Sequence, residues 1–191
     1  MRVIGGTYRS RQLVAPRGIG TRPTSDRLRE TLFNILAPRM KGARFVDLYA
    51  GTGAVGIEAL SRGAAHVWFA ENAAPALGAL RANLAALKIG GGFAVEDRGV
   101  GAALQRLAKL TEPVDVVFLD PPYEAEAEYE GTLGFLGSVR GRELLSADAV
   151  VIAEHSSKAR SRLAERYGAL EQRRFLKQGD AALSFFALAA E

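Results

Sequence analysis

The chain is 191 residues long, 48% hydrophobic and without cysteine, which suits one domain of ordinary size with a full core and excludes disulfides and thiolate metal sites. No apolar run nears the roughly 20 residues of a spanning helix, and Met1-Arg2-Val3-Ile4-Gly5-Gly6 lacks the apolar region of a secretory signal, so a cytoplasmic protein with no membrane association is expected. Charge is segregated: residues 1–44 hold ten Lys or Arg against Asp26 and Glu30, the other 147 residues hold 15 basic and 19 acidic side chains, and a basic arm on a mildly acidic body points to a polyanion such as nucleic acid.

Arg2-Val3-Ile4 and Gln12-Leu13-Val14 are set to pair as a short hairpin. Its connection supplies glycines for the turn, with Tyr8, Arg9 and Arg11 for stacking and charge. The glycines and prolines of 15–23 argue for a loop. Thr24 and Ser25 are N-cap candidates for a helix over 26–36 that gathers Leu28, Leu32, Ile35 and Leu36 on one face and ends near Pro38. Arg22, Arg27 and Arg29 are left for nucleic-acid phosphates or for bracing that helix. From Arg44 on, short apolar runs alternate with amphipathic stretches, the pattern of βαβ units and a mainly parallel sheet. Strands are expected at 44–48, 66–70, 93–95, 114–119 and 150–153, with Trp68 and Phe69 as core residues of the second. Helices are expected at 54–62, 74–87 and 100–110, and after Tyr129 and Ser157. Glu124, Glu126, Glu128 and Glu130 read as a solvated loop. Segments 173–176 and 182–188, flanking Gln178-Gly179-Asp180, read as an antiparallel hairpin closing one sheet edge. The division expected is a basic extension, 1–43, and a catalytic domain, 44–191.

Residues 47–56 run from strand to helix, and Gly51, Gly53 and Gly56 match G-x-G-x-x-G. Glu71 follows the second strand, twenty positions after Gly51. On these facts alone a dinucleotide such as NAD is a fit, with Glu71 on a ribose hydroxyl pair. Asp47, however, precedes the glycines, where a pyrophosphate gains little from a carboxylate. A carboxylate there suits a cofactor with cationic amino-acid and sulfonium groups, as S-adenosylmethionine has. The cofactor-binding set is then Asp47, Tyr49, Ala50, Gly51, Thr52, Gly53, Glu71, Asn72, Asp97 and Asp120. Asp97 is preferred to Glu96 for the adenine contact, and a helix cap is its other reading.

Asp120-Pro121-Pro122-Tyr123 closes the apolar run 114–119. Two consecutive prolines force the chain out of the sheet in a stiff turn, holding an acid and an aromatic at the carboxyl end of a strand. An exocyclic amine of a nucleobase is a poor nucleophile because its lone pair is delocalised into the ring. Asp120 and the Pro121 carbonyl accepting its N–H bonds, with Tyr123 stacked on the base, would localise and aim that pair. A target base inside a helix must be flipped out or lie in a loop. Asp120, Pro121, Pro122 and Tyr123 are the catalytic candidates, and no metal is expected, since His66 and His155 stand apart. Nothing in the spacing of His155 selects catalysis over packing. On the residues alone, three other readings stay open: a nicotinamide-dependent oxidoreductase, a DNA amino-methyltransferase acting on adenine N6 or cytosine N4, and a non-catalytic RNA-binding module.

At these motifs the chain resembles class I S-adenosylmethionine-dependent methyltransferases of the amino-methylating type, and more closely the RsmD family. Specific pieces are Gly6-x-Tyr8-Arg9-x-Arg11-x-Leu13, Thr21-Arg22-Pro23-Thr24-x-Asp26-Arg27-x-Arg29-Glu30, Glu154-His155 and Gly179-Asp180-x-Ala182-Leu183-Ser184-Phe185. The resemblance implies an α/β, Rossmann-like class I fold. Its sheet is seven-stranded and mainly parallel with a C-terminal antiparallel hairpin, has helices on both faces, and carries a small N-terminal hairpin-and-helix extension. It also implies methylation of guanine N2 in 16S rRNA of the assembled small ribosomal subunit, by a monomer, with Arg9, Arg11, Arg22, Arg27 and Arg29 as RNA-binding residues. Glu96-Asp97-Arg98-Gly99-Val100 departs from the family's usual Gly-Asp-Ala-Leu at that point.

Overall fold

A computed structural model describes residues 1–15, 25–158 and 163–189. The chain divides into two compact units, Met1–Ala103 and Leu104–Glu191, so segment 1–43 lies wholly within the first.

In the first unit, Ser25 caps α1 (Asp26–Met40) by accepting the Leu28 N–H. The helix continues past its expected end, with Pro38 in the last turn and Met40 buried beneath it. It is followed by β1 (Arg44–Leu48), α2 (Ala54–Ser61), β2 (His66–Ala70), α3 (Ala74–Ala86) and β3 (Phe93–Glu96). The strands run parallel in the order β3-β2-β1. Leu48 aligns with Ala70, and Ala70 with Glu96, so the three carboxyl ends form one edge. Of the two aromatic residues expected in the core of β2, Phe69 is fully buried. Trp68 points to the other face and is only half-buried, with the Arg44 guanidinium 5.2 Å from its ring centre.

The expected N-terminal hairpin is a single antiparallel bridge, Arg2 to Gln12. Its anchor is α2. The carboxylate of Glu58, fully buried, accepts the Ile4 and Gly5 N–H groups at 2.7 and 2.8 Å and the Arg62 Nε–H at 2.7 Å. Ser61 adds three bonds: its carbonyl accepts the Thr7 N–H, and its hydroxyl accepts the Tyr8 N–H and donates to the Gly5 carbonyl. A bare arm would have left these backbone donors to water; instead a helix carboxylate orders them.

The helix α4 (Val100–Leu107) contains the division between the units. Beyond it come β4 (Val114–Leu119), α5 (Glu126–Leu136), α6 (Val139–Arg142), β5 (Leu145–Ser156), β6 (Arg166–Tyr167), β7 (Leu170–Gln178) and β8 (Ala181–Leu188). In the second unit β4 and β5 are parallel, while β5–β8, β8–β7 and β7–β6 are antiparallel. The C-terminal hairpin is therefore β7–β8, as expected, with β8 beside β5.

Three expectations are corrected here. Eight strands occur among the described residues rather than seven. The extra one, β6, is two residues long and has no alternation to detect; Tyr167 holds it, buried and donating its hydroxyl to Glu130 at 2.9 Å. The glutamates 126, 128 and 130 are exposed as expected, yet they start a helix, where acids favour the positive N-terminal end. Finally, β5 begins at Leu145 rather than near 150, because a register shift between Val114 and Val116 of β4 breaks its early pattern. The helix expected after Ser157 falls partly on 159–162, outside the described residues.

Glu58→Ala should remove the acceptor of two backbone donors and of Arg62 together. The expected loss is about 3 kcal/mol in urea unfolding, with faster proteolysis before residue 15, on the scale of stranded buried donors. Unchanged stability would show that the arm is not held this way.

Candidate functional site

The carboxyl edge of β1, β2 and β3 gathers three acids: Asp47, Glu71 and Glu96. Asp47 is 1% exposed, and its Oδ2 accepts the Gly56 N–H at 2.8 Å, tying the end of β1 to the first turn of α2. Burial, only partly offset by that hydrogen bond and reinforced by the charge of Glu71, pushes the Asp47 carboxyl up to about 8. Between strand and helix the chain turns through left-handed backbone at Tyr49 (φ 61°), Gly51 (φ 57°) and Gly53 (φ 78°). Tyr49 has a Cβ and adopts this region at a cost of about 1–2 kcal/mol, a local strain of the kind that collects at functional loops. Ala50 steadies the loop by donating its N–H to the Ala70 carbonyl at 2.9 Å.

The glycines do different work. A Cβ on Gly56 would lie 2.2 Å from Phe69 Cε1, so only glycine lets α2 pack this closely on β2. A Cβ on Gly51 would meet nothing within 4 Å, which leaves open space in front of the loop where a ligand's atoms can approach the backbone. Glu71 closes that space from β2: Oε2 accepts the Gly51 N–H and Oε1 accepts the Asn72 and Ala73 N–H groups, each at 2.8 Å.

The two acids after β3 separate clearly. Glu96 is buried and receives Arg98 Nε–H at 2.8 Å. Asp97 is exposed and pairs with Arg81 at 3.0 Å. Asn83, buried on α3, was not singled out by sequence reasoning. Its side-chain amide accepts the Val14 N–H at 2.7 Å and donates to the carbonyls of Val14 and Thr52, both at 3.0 Å, so one side chain holds both the N-terminal segment and the glycine loop. Glu58 was missed likewise. The signal was available in each case: a polar residue set among apolar ones at helical spacing.

In the second unit, Asp120 follows β4 and is half-buried, Pro121 is buried, Pro122 exposed and Tyr123 half-buried. The Tyr129 hydroxyl donates to the Glu154 carbonyl at 2.9 Å and lies 3.2 Å from the Pro121 carbonyl, pinning the turn from below. A carbonyl has two lone pairs, so Pro121 retains acceptor capacity for a second donor. The Tyr123 hydroxyl faces the buried Glu154 carboxylate, Oε1 at 3.4 Å. His155 is packed within the sheet, with Nε2 at 2.9 Å from Ser184 Oγ and Nδ1 at 3.0 Å from the Ser156 carbonyl.

Of the arginines expected on RNA, Arg9, Arg11 and Arg27 are exposed. Arg22 lies outside the described residues. Arg29 is corrected: it is fully buried, donating to the Arg2 carbonyl and to Asp26 at 2.9 Å, so it braces the N-terminal segment on α1 and presents no charge to a phosphate. Among the described residues no group of acids and histidines is placed to hold a metal ion, and no helix is long and apolar enough to cross a membrane.

Against known proteins, residues 1–187 match the model of the family described as conserved hypothetical protein 95. YlbH of Bacillus subtilis, named as an rRNA methyltransferase, is 37% identical over 81% of this chain and 82% of its own length. Ribosomal RNA small subunit methyltransferase D of Escherichia coli is 45% identical over 64% of this chain and 60% of its own. The solved structure of YhhF from Escherichia coli, titled as a methyltransferase, superimposes with a TM-score of 0.81 at 35% identity, covering 100% of this chain and 99% of that one.

The raised Asp47 carboxyl sets a pH dependence. The folded state keeps a proton there that the unfolded chain releases near 3.8, so this group's stabilising contribution is complete below about 3.8 and is lost as pH rises towards 8. Asp47→Asn keeps an acceptor for the Gly56 N–H without the buried charge. Its urea midpoint should therefore decline less between pH 5 and pH 8 than that of the parent; parallel profiles would rule the buried charge out as the cause.

Proposed function

The chain belongs to the conserved hypothetical protein 95 family, that of the RsmD rRNA methyltransferases, and we propose that it transfers a methyl group from S-adenosylmethionine to the exocyclic N2 of a guanine in 16S rRNA. The observation that carries the reading is the Asp120–Tyr123 turn with its Pro121 carbonyl pinned by Tyr129. It sets a carboxylate, a carbonyl with spare acceptor capacity and an aromatic ring in one rigid segment.

The open space at Gly51 fits the cofactor, and so does the chemistry around it. Glu71 is the acceptor for ribose hydroxyls, Asp47 and the loop from Tyr49 to Gly53 face the cationic amino-acid end, and Asn72 with Asp97 or Glu96 flanks the adenine. When bound, the cofactor supplies a methyl group already activated by its sulfonium. The protein's task is then orientation. Asp120 and the Pro121 carbonyl accept the two N–H bonds of the guanine amine, turning its lone pair out of the ring plane, and Tyr123 stacks on the base. The proton shed as the N–C bond forms passes to Asp120 and on to water. Glu154 holds the Tyr123 hydroxyl and thereby its ring. Arg9, Arg11, Arg22 and Arg27 contact phosphates and fix the RNA without reading its sequence. The substrate is the assembled small subunit and the acting species a monomer.

Asp120→Ala should lower methyl transfer to unmethylated small subunits by at least 100-fold, on the scale of losing an oriented transition-state acceptor, with S-adenosylhomocysteine affinity retained. A parent protein that binds cofactor but methylates no RNA, or that prefers duplex DNA, would overturn the proposal.

A further inference from the structure

The second unit carries a groove that the proposed chemistry does not use. It has a volume of about 540 Å³ and is lined by His155, Ser156, Ser157, Lys158, Phe175 and Lys177, with Asp180 its acid. A smaller cavity of about 220 Å³ shares His155 and Phe175 with it. Phe175 is 46% exposed, which is unusual for a phenylalanine.

The backbone puts it there. On β7 the pairing with β8 shifts between Gln172 and Arg174, so Arg173 is an extra residue and Phe175 comes to lie opposite Ser184. Ser184 pairs with Ala153, while His155 pairs with Ala182, which lies opposite Lys177. Phe175, Lys177 and His155 therefore share one face of the sheet. Without the bulge the alternation would turn Phe175 to the other face, and bulges are used in this way to re-aim side chains beside active sites. The rings form a row: His155 is 6.2 Å from Phe175 and 6.5 Å from Tyr129, centre to centre. The Tyr129 hydroxyl in turn reaches the Pro121 carbonyl. Two ring contacts thus connect the exposed phenylalanine to the turn assigned to the target amine.

We infer that this groove holds a nucleotide of the substrate RNA outside the target site, with Phe175 stacking its base and Lys158 and Lys177 contacting its phosphates. The inference rests on the rRNA-methyltransferase reading above. Two lysines against one Asp180, hydroxyls of Ser156 and Ser157, and one half-exposed aromatic are the elements of a single-stranded nucleic-acid platform. A protein partner would call for a larger apolar patch than one phenylalanine provides. Phe175 aligns through Ser184 and Ala153 with Leu119, three strand spacings or roughly 14 Å from the start of the turn, so the base it stacks is one displaced along the RNA strand from the target.

The test compares the parent, Phe175→Ala, Phe175→Tyr and Lys177→Ala on unmethylated small subunits and on protein-free 16S rRNA. Phe175→Ala should raise the acceptor KM and the rRNA Kd by about tenfold, leave S-adenosylhomocysteine binding unchanged, and be rescued by Phe175→Tyr. Lys177→Ala should reduce the salt dependence of rRNA binding by about one phosphate contact. Parent-like KM and Kd for Phe175→Ala, in a protein that methylates RNA, would overturn this inference alone. A KM effect on assembled subunits with unchanged affinity for free rRNA would assign the groove to a ribosomal protein and overturn it as well. A parent protein that methylates no RNA would remove both readings.

Discussion

The hydrogen bond from the Gly56 N–H to the buried carboxyl of Asp47 joins the end of β1 to the start of α2, and much of the first unit depends on where that puts the helix. Gly56 must lie against Phe69 for the bond to form, a proximity that any Cβ would prevent. Once α2 is seated, the intervening loop has to close in few residues, which drives Tyr49, Gly51 and Gly53 into left-handed backbone. The same short helix then presents Glu58 and Ser61 to the N-terminal segment. A single contact at the helix N-terminus thus fixes the glycine loop and, one turn later, the anchor of the basic arm. Burying an acid is unfavourable in itself, and a cationic ligand beside Asp47 would relieve that cost.

The second unit solves a different problem. A double proline frees backbone acceptors but supplies no donors to hold itself in place. Tyr129 provides the missing restraint from α5, reaching both the Pro121 carbonyl and the Glu154 carbonyl at the end of β5. Glu154 uses its carboxylate on Tyr123 from the opposite side. The turn is therefore clamped between a helix and a neighbouring strand, the arrangement expected where catalysis consists mainly of orientation.

Much of this was legible in the sequence. Strands 44–48, 66–70 and 114–119 coincide with β1, β2 and β4, because buried parallel strands are short apolar runs with sharp ends. The glycine loop and Asp120–Tyr123 were readable because turns demand particular residue types. What escaped was tertiary. The two residues of β6 have no period, and the start of β5 is hidden by a register shift. Arg29, counted with the arginines available to phosphate, proved to be a buried brace, since charge in a sequence does not say which face of a helix carries it. Asn83 and Glu58 were visible as polar residues among apolar ones, but their partners lie 69 and 54 residues away, and no local pattern reports that.

The correction of Arg29 also changes how the basic arm is understood. With that guanidinium spent on Asp26 and the Arg2 carbonyl, part of the local positive charge serves to order the arm rather than to attract RNA. Arg9, Arg11 and Arg27 remain exposed, as the RNA contact proposed above requires. Asn83 then gives the ordering a purpose: it grips Val14 and Thr52 through one buried amide, so the segment leading to Arg22 and the loop assigned to the methyl donor share a support. Val14 and Thr52 are thereby fixed relative to each other by one buried side chain, whose three hydrogen bonds are all spent on backbone groups.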